Sequence, residues 1–159
     1  MKLSNLAFSA ATFLTLSTSA FATTNSIVFV STMDKGSTAP MATDHGLGMA
    51  LMKMPSDMGL QLSTNTVPAG NVTFKFKNSS HDLVHEMLVL PYVEGTNLPY
   101  DDKQVKINED KAGSLGEVSE TDPVKSGELK LSLKSGKYVL VCNLPGHFAN
   151  GMWTLLTVK

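Results

Sequence analysis

Near the C-terminus, Cys142-Asn143-Leu144-Pro145-Gly146-His147-Phe148-Ala149-Asn150-Gly151-Met152 places a thiol, an imidazole and a thioether in turn at five-residue intervals. Soft sulfur together with imidazole suits copper, and two His and one Cys with a weak axial Met form the ligand list of a blue electron-transfer centre. Such a set needs one more His. His81 and His85 both stand in Asn78-Ser79-Ser80-His81-Asp82-Leu83-Val84-His85-Glu86-Met87. His85 directly precedes the apolar run Met87-Leu88-Val89-Leu90, where a strand can fix it, whereas His81 sits among Asn, Ser and Asp, residues that favour loops. His85 is therefore the expected partner. Zinc held by His81 and His85 on one helical face is the competing arrangement, disfavoured by the β-rich run that follows and by the missing His-Glu-x-x-His order.

The elements that must carry these residues read as strands. Val72-Thr73-Phe74-Lys75-Phe76-Lys77 and Leu129-Lys130-Leu131-Ser132-Leu133 alternate apolar with polar, the period of a half-buried strand. Ile27 to Val30 is a short apolar strand, Lys137 to Val141 returns after the Ser135-Gly136 turn, and Trp153 to Val158 closes the chain. Strands at this spacing, punctuated by Gly, Pro and Asn, imply an all-β sandwich or barrel. Tyr92 to Lys125, with Pro99, Asp101, Asp102, Gly113, Gly116 and Pro123, reads as a long polar connection across the sandwich. On this reading Cys142 leaves one strand, Met152 begins the next, His147 lies between them, and His85 comes from a neighbouring strand. Leu144 has an amide hydrogen that can point at the Cys142 sulfur, whereas Pro145 has none.

The Cys-x4-His-x4-Met loop after an alternating strand, with a His opening an earlier strand, resembles the cupredoxin family. The likeness runs from about Leu60 to Lys159, and Thr66-Val67-Pro68-Ala69-Gly70-Asn71-Val72-Thr73-Phe74 resembles the strand that leads to that family's first ligand. The ligand spacing is that of its rusticyanin and auracyanin branches, while His85-Glu86-Met87 and Gly146 to Trp153 resemble periplasmic copper-tolerance cupredoxins. The resemblance implies a Greek-key β-sandwich of about seven to eight strands and one type 1 copper ion held by His85, Cys142, His147 and Met152. One position departs from the family: an Asn, Asp or Ser often follows the first His, and Glu86 stands there instead. A carrier of this kind needs an apolar docking face around His147, for which Leu144, Pro145, Phe148 and Met87 are candidates.

Composition narrows the remaining possibilities. Of 159 residues, 1–22 carry Lys2, an apolar stretch diluted by Ser and Thr, and Ala20-Phe21-Ala22, the pattern of a secretory signal peptide too short and polar to span a membrane. Its removal lowers the basic count from 13 to 12 against 14 acids and takes the net charge from −1 to −2. The expected organisation is a signal peptide at 1–22, an N-terminal strand and Met-rich segment at 23–58, and a copper-binding domain at 59–159. With no Arg and no basic patch, nucleic acid is not an expected partner. The expected protein is a periplasmic monomer that meets a redox protein partner. Its single Cys cannot form an internal disulfide, so metal ligation explains an otherwise awkward thiol in an exported chain better than simple burial does. Gly-x-Ser-x-Gly, a phosphate-binding Gly loop and Cys-x-x-Cys are all missing, and four His are too few for a second copper centre. No catalytic activity is expected.

Six of nine Met residues, Met33, Met41, Met49, Met52, Met54 and Met58, lie between Thr32 and Gly59. Met41, His45, Met49 and Met52 fall at helix-face intervals, where a short helix before Pro55 could offer thioethers to Cu(I). Met packing irregularly over the sandwich explains the same residues. Electron transfer is thus the first reading, and copper tolerance by sequestration the alternative.

Overall fold

The alternation read in Val72 to Lys77 is obeyed residue by residue: Val72, Phe74 and Phe76 are buried, and Lys75 and Lys77 face water. A computed structural model describes residues 24–37 and 57–159. The expected signal peptide and Met41, His45, Met49, Met52 and Met54 lie outside the described residues.

The first sheet has the order β2 (Met58–Leu62), β1 (Thr24–Asp34), β4 (Gly70–Lys77), β9 (Ser126–Leu133). Strand β1 runs parallel to β4 and antiparallel to β2, so its last residue, Asp34, lies opposite Met58. The second sheet is ordered β3 (Thr66–Val67), β11 (Trp153–Val158), β10 (Gly136–Val141), β5 (His85–Tyr92), β8 (Gly116–Thr121). The long polar connection between Tyr92 and Lys125 contains β6 (Tyr100–Asp101), β7 (Lys106–Ile107), the helical turn α1 (Glu109–Ala112) and β8. Two-residue strands carry too little periodicity to be read in advance. Strand β1 is also longer than Ile27 to Val30, because its polar end, Ser31 to Asp34, is held by pairing with β2 rather than by an apolar pattern.

Facing sides of the sheets form one core from Val28, Val30, Phe74, Phe76, Met87, Val89, Leu140 and Leu156. The second sheet is covered on its outer side too, where Leu88, Leu90, Val139 and Val141 meet Leu98, Ile107, Phe148 and Trp153. Double covering explains why Met87 to Leu90 is continuously apolar: alternate residues enter different cores.

The loop between β4 and β5 is tied down by one side chain. Asn78 is fully buried; its Oδ1 accepts from Thr32 Oγ1 at 3.2 Å and from the Ser80 amide at 2.9 Å. Its Nδ2 donates to the carbonyls of Leu83 and Thr121, both at 2.8 Å. One amide thereby joins β1, the end of β8 and the run-in to His85. Asn78→Ala strands several buried polar groups, and a loss of about 3 kcal/mol is expected in urea unfolding, with the denaturant slope unchanged. A loss under about 1 kcal/mol would show that the loop holds itself.

Candidate metal centre

Strands β5 and β10 lie side by side, with Val141 opposite Leu88, so the first residue of β5 and the residue just beyond β10 meet at one end of the sheet. These are His85 and Cys142. His147 comes back over them from the following loop. Its Nδ1 lies 3.3 Å from Cys142 Sγ and 3.1 Å from His85 Nδ1, and His85 Nδ1 is 3.7 Å from the sulfur. All three are buried, and one donor atom from each falls within 4.8 Å of the others. His81 is exposed in the preceding loop and is not part of the trio.

Met152 is fully buried, and its backbone closes the ligand loop. Its amide donates to the His147 carbonyl and its carbonyl accepts from the Cys142 amide, both at 3.0 Å. Strand β11 begins one residue later, at Trp153, rather than at Met152 itself. The turn needs left-handed backbone at Gly146 (φ 82°) and Gly151 (φ 87°), where any side chain would be strained.

The loop is braced from outside by residues that the sequence reading did not single out. Asn143 is fully buried; its Oδ1 accepts from the Ile107 amide at 2.7 Å, and its Nδ2 donates to the Ile107 carbonyl at 3.0 Å and to Glu109 at 2.8 Å. The Gly146 amide donates to the carbonyl of Val105, a β-branched residue held at φ 55°. Such backbone is costly and persists only where its surroundings enforce it. The ribbon β6–β7 is thus a buttress for the ligand loop.

On the other side, His85 Nε2 lies 3.0 Å from Asp34 Oδ2 at the end of β1. Asp34 is the largest omission of the sequence reading. An Asp closing an apolar strand looks like ordinary solvated punctuation, and only the parallel pairing of β1 with β4 brings it to the site.

Burial governs the electrostatics. It pushes the Cys142 thiol up to about 12, against the pull of the Glu86 and Leu144 amides on the sulfur. The Glu86 amide lies 3.4 Å from Sγ, and the expected Leu144 contact is present. Burial lowers His85 despite Asp34, and burial together with neighbouring His85 lowers His147 to about 4. Glu86 is pushed up to about 7, also by burial, and its Oε1 has no hydrogen-bond partner. Two docking candidates fail here: Phe148 and Met87 are fully buried, each packed into a core, leaving exposed Pro145 and half-buried Leu144 beside His147.

The donor set fits a copper ion. With Nε2 of His85 facing a carboxylate, two imidazole nitrogens and a sulfur converge in a dry space, and their lone pairs repel unless a proton or a cation joins them. One thiolate and two imidazoles are a soft, nitrogen-rich set of the kind copper prefers.

A family model, the sulfocyanin (SoxE) domain, matches residues 58–159. The chain belongs to the sulfocyanin family of cupredoxins, all-β Greek-key sandwiches that hold one type 1 copper ion. Solved structures share the fold. Reduced rusticyanin is 19% identical, with a TM-score of 0.52 over 84% of this chain and 79% of that one. Dithionite-reduced auracyanin from Roseiflexus castenholzii is 18% identical, with a TM-score of 0.53 over 87% of this chain and 99% of its own. Rusticyanin from Thiobacillus ferrooxidans, at 20% identity, gives 0.51 over 84% and 77%. Among curated protein sequences, none matches this chain.

Two of these groups, His147 and Glu86, pull the pH dependence of the metal-free protein in opposite directions, and His85 acts in the same sense as His147. Between about 4 and 6.5 the unfolded chain binds a proton that folded His147 refuses, so stability falls as pH falls through that window, by roughly 3 kcal/mol in all. Glu86 acts in the opposite sense: between 4.5 and about 7 its folded carboxyl keeps a proton that the unfolded chain releases, so stability falls as pH rises. In the metal-free wild type the slopes oppose each other. Glu86→Gln unmasks His147, and a loss of about 2 to 3 kcal/mol from pH 7 to pH 4 is expected in urea titrations, against a flatter wild-type profile between 4.5 and 6.5. Parallel profiles would remove Glu86 from this account.

Proposed function

We propose that this protein is an exported electron carrier in which His85, Cys142, His147 and Met152 ligate the copper ion. The convergence of two imidazole nitrogens and one sulfur at the end of β5 and β10 carries this reading. When bound, the ion supplies a one-electron couple between Cu(II) and Cu(I). The protein's part is to hold the donors still and dry: His85, Cys142 and Met152 are fully buried, and each is anchored by strand pairing or by loop hydrogen bonds. A site that cannot rearrange suits an ion whose two oxidation states prefer different geometries. His147 alone keeps a little exposure, 7%, and its ring is the shortest route to the surface for an electron. A redox protein partner would dock there, against Pro145 and Leu144. Export to the periplasm is supported by the character of residues 1–22, and no helix among the described residues is long and apolar enough to cross a membrane.

The copper-loaded protein is expected to absorb intensely in the visible region through thiolate-to-copper charge transfer, and Cys142→Ser is expected to abolish that band. His85→Ala should bleach it while His81→Ala leaves it intact; the reverse pattern would overturn the choice of His85. Met152→Leu should keep copper and raise the reduction potential, because losing a weak thioether donor would disfavour the oxidised ion more.

Copper tolerance by sequestration is the second reading, favoured by the six Met residues between Thr32 and Gly59. Titrating Cys142→Ser with Cu(I) separates the two roles. A sequestering protein keeps about one equivalent, lost when Met41, Met49 and Met52 become Leu, a substitution that largely conserves volume. A pure carrier keeps none.

A further inference from the structure

Asp34 lies outside the stretch 58–159 that matches the family model, yet it touches the metal centre. Its side chain is 5% exposed, and among the described residues no Lys forms an ion pair with it. Three groups hold it: the Gly36 amide at 2.8 Å and Ser80 Oγ at 3.1 Å donate to Oδ1, and His85 Nε2 sits 3.0 Å from Oδ2. The carboxylate itself can only accept, so Nε2 must carry the imidazole proton. Nδ1 is then the free lone pair, and Nδ1 is the atom that faces Cys142 and His147.

We propose that Asp34 is a positioning residue for the metal, fixing the His85 tautomer and ring angle and making Nδ1 a stronger donor. A carboxylate hydrogen-bonded to a ligating imidazole raises its basicity, and removal of such a partner commonly costs 10- to 100-fold in metal affinity. The charges give a direction as well. Cu(II), the Cys142 thiolate and the Asp34 carboxylate sum to zero in this buried site, whereas Cu(I) leaves one negative charge uncompensated. Asp34 therefore favours the oxidised ion and lowers the reduction potential. The N-terminal strand is thus a functional part of the site as well as an inner strand of the first sheet.

This rests on the ligand set proposed above, and the test keeps the two apart. Asp34→Asn removes the charge but keeps an acceptor near Nε2. It is expected to retain the visible band, lose about 10- to 100-fold in Cu(II) affinity and lose little in Cu(I) affinity. Each tenfold difference between the two losses raises the potential by about 59 mV. Asp34→Glu should restore part of the difference. Equal losses for both ions would make Asp34 a structural prop and overturn the proposal, as would affinities unchanged within about twofold. Nitrogen-15 NMR of the wild-type histidines needs no variant: a protected Nε2 proton on His85 is expected in the metal-free and Cu(I) forms, and a proton on Nδ1 in the metal-free form sinks the idea. The ligand set fails by a different result, namely a visible band that survives His85→Ala.

Discussion

Packing two imidazoles and a thiol against one another in a dry interior is unfavourable unless something positive joins them, and the architecture around the site is organised to make that packing unavoidable. Burial, with some help from neighbouring charges, drives His147 towards the neutral form and Cys142 towards the thiol. The three donors would relax apart if they were free to move. They are not free: His85 is fixed by the register of β5 on β10, and Cys142 and His147 by a loop whose two ends are hydrogen-bonded through Met152. A cation that accepts nitrogen and sulfur relieves the conflict, and binding it costs the protein little rearrangement.

Rigidity comes from three buried polar side chains, each on a different side of the centre. Asn78 holds the approach to His85, Asn143 ties the Cys142 end to the β6–β7 ribbon, and Asp34 faces the outer nitrogen of His85. Buried amides and carboxylates are stabilising only when their partners are all present, which makes such groups specific as well as strong. Glu86 breaks the pattern, since its buried carboxyl lacks a partner for Oε1. Its neighbour His85 sits where the β5–β8 register shifts between His85 and Met87. Irregularities of this kind re-aim side chains beside functional sites. Glu86 is buried, so the residue that departs from the family pattern belongs to the interior of the site.

The outer core follows from the same requirement. Phe148 within the ligand loop and Trp153 just after it sink into the second apolar cluster with Leu88, Leu90 and Ile107. The loop is thereby clamped between two hydrophobic layers, and water is kept from the thiol. The consequence for recognition is that Phe148 cannot greet a partner, and the face left around His147 is small.

By itself the sequence made the candidate donor loop legible, because Cys142, His147 and Met152 are close in the chain and their chemistry needs no folding to be recognised. It also determined the all-β class and the strands with clean alternation, such as Val72 to Lys77, since a period of two is a local property. The tertiary structure decided what depends on residues far apart. Asp34 reaches His85 across 51 positions, Asn143 reaches Ile107 across 36, and Asn78 joins Thr32 and Thr121. None of these polar residues differs, in its local sequence, from one at the surface. The covering of the second sheet on both faces was likewise undecided, because an apolar run reveals that it is buried but not what buries it.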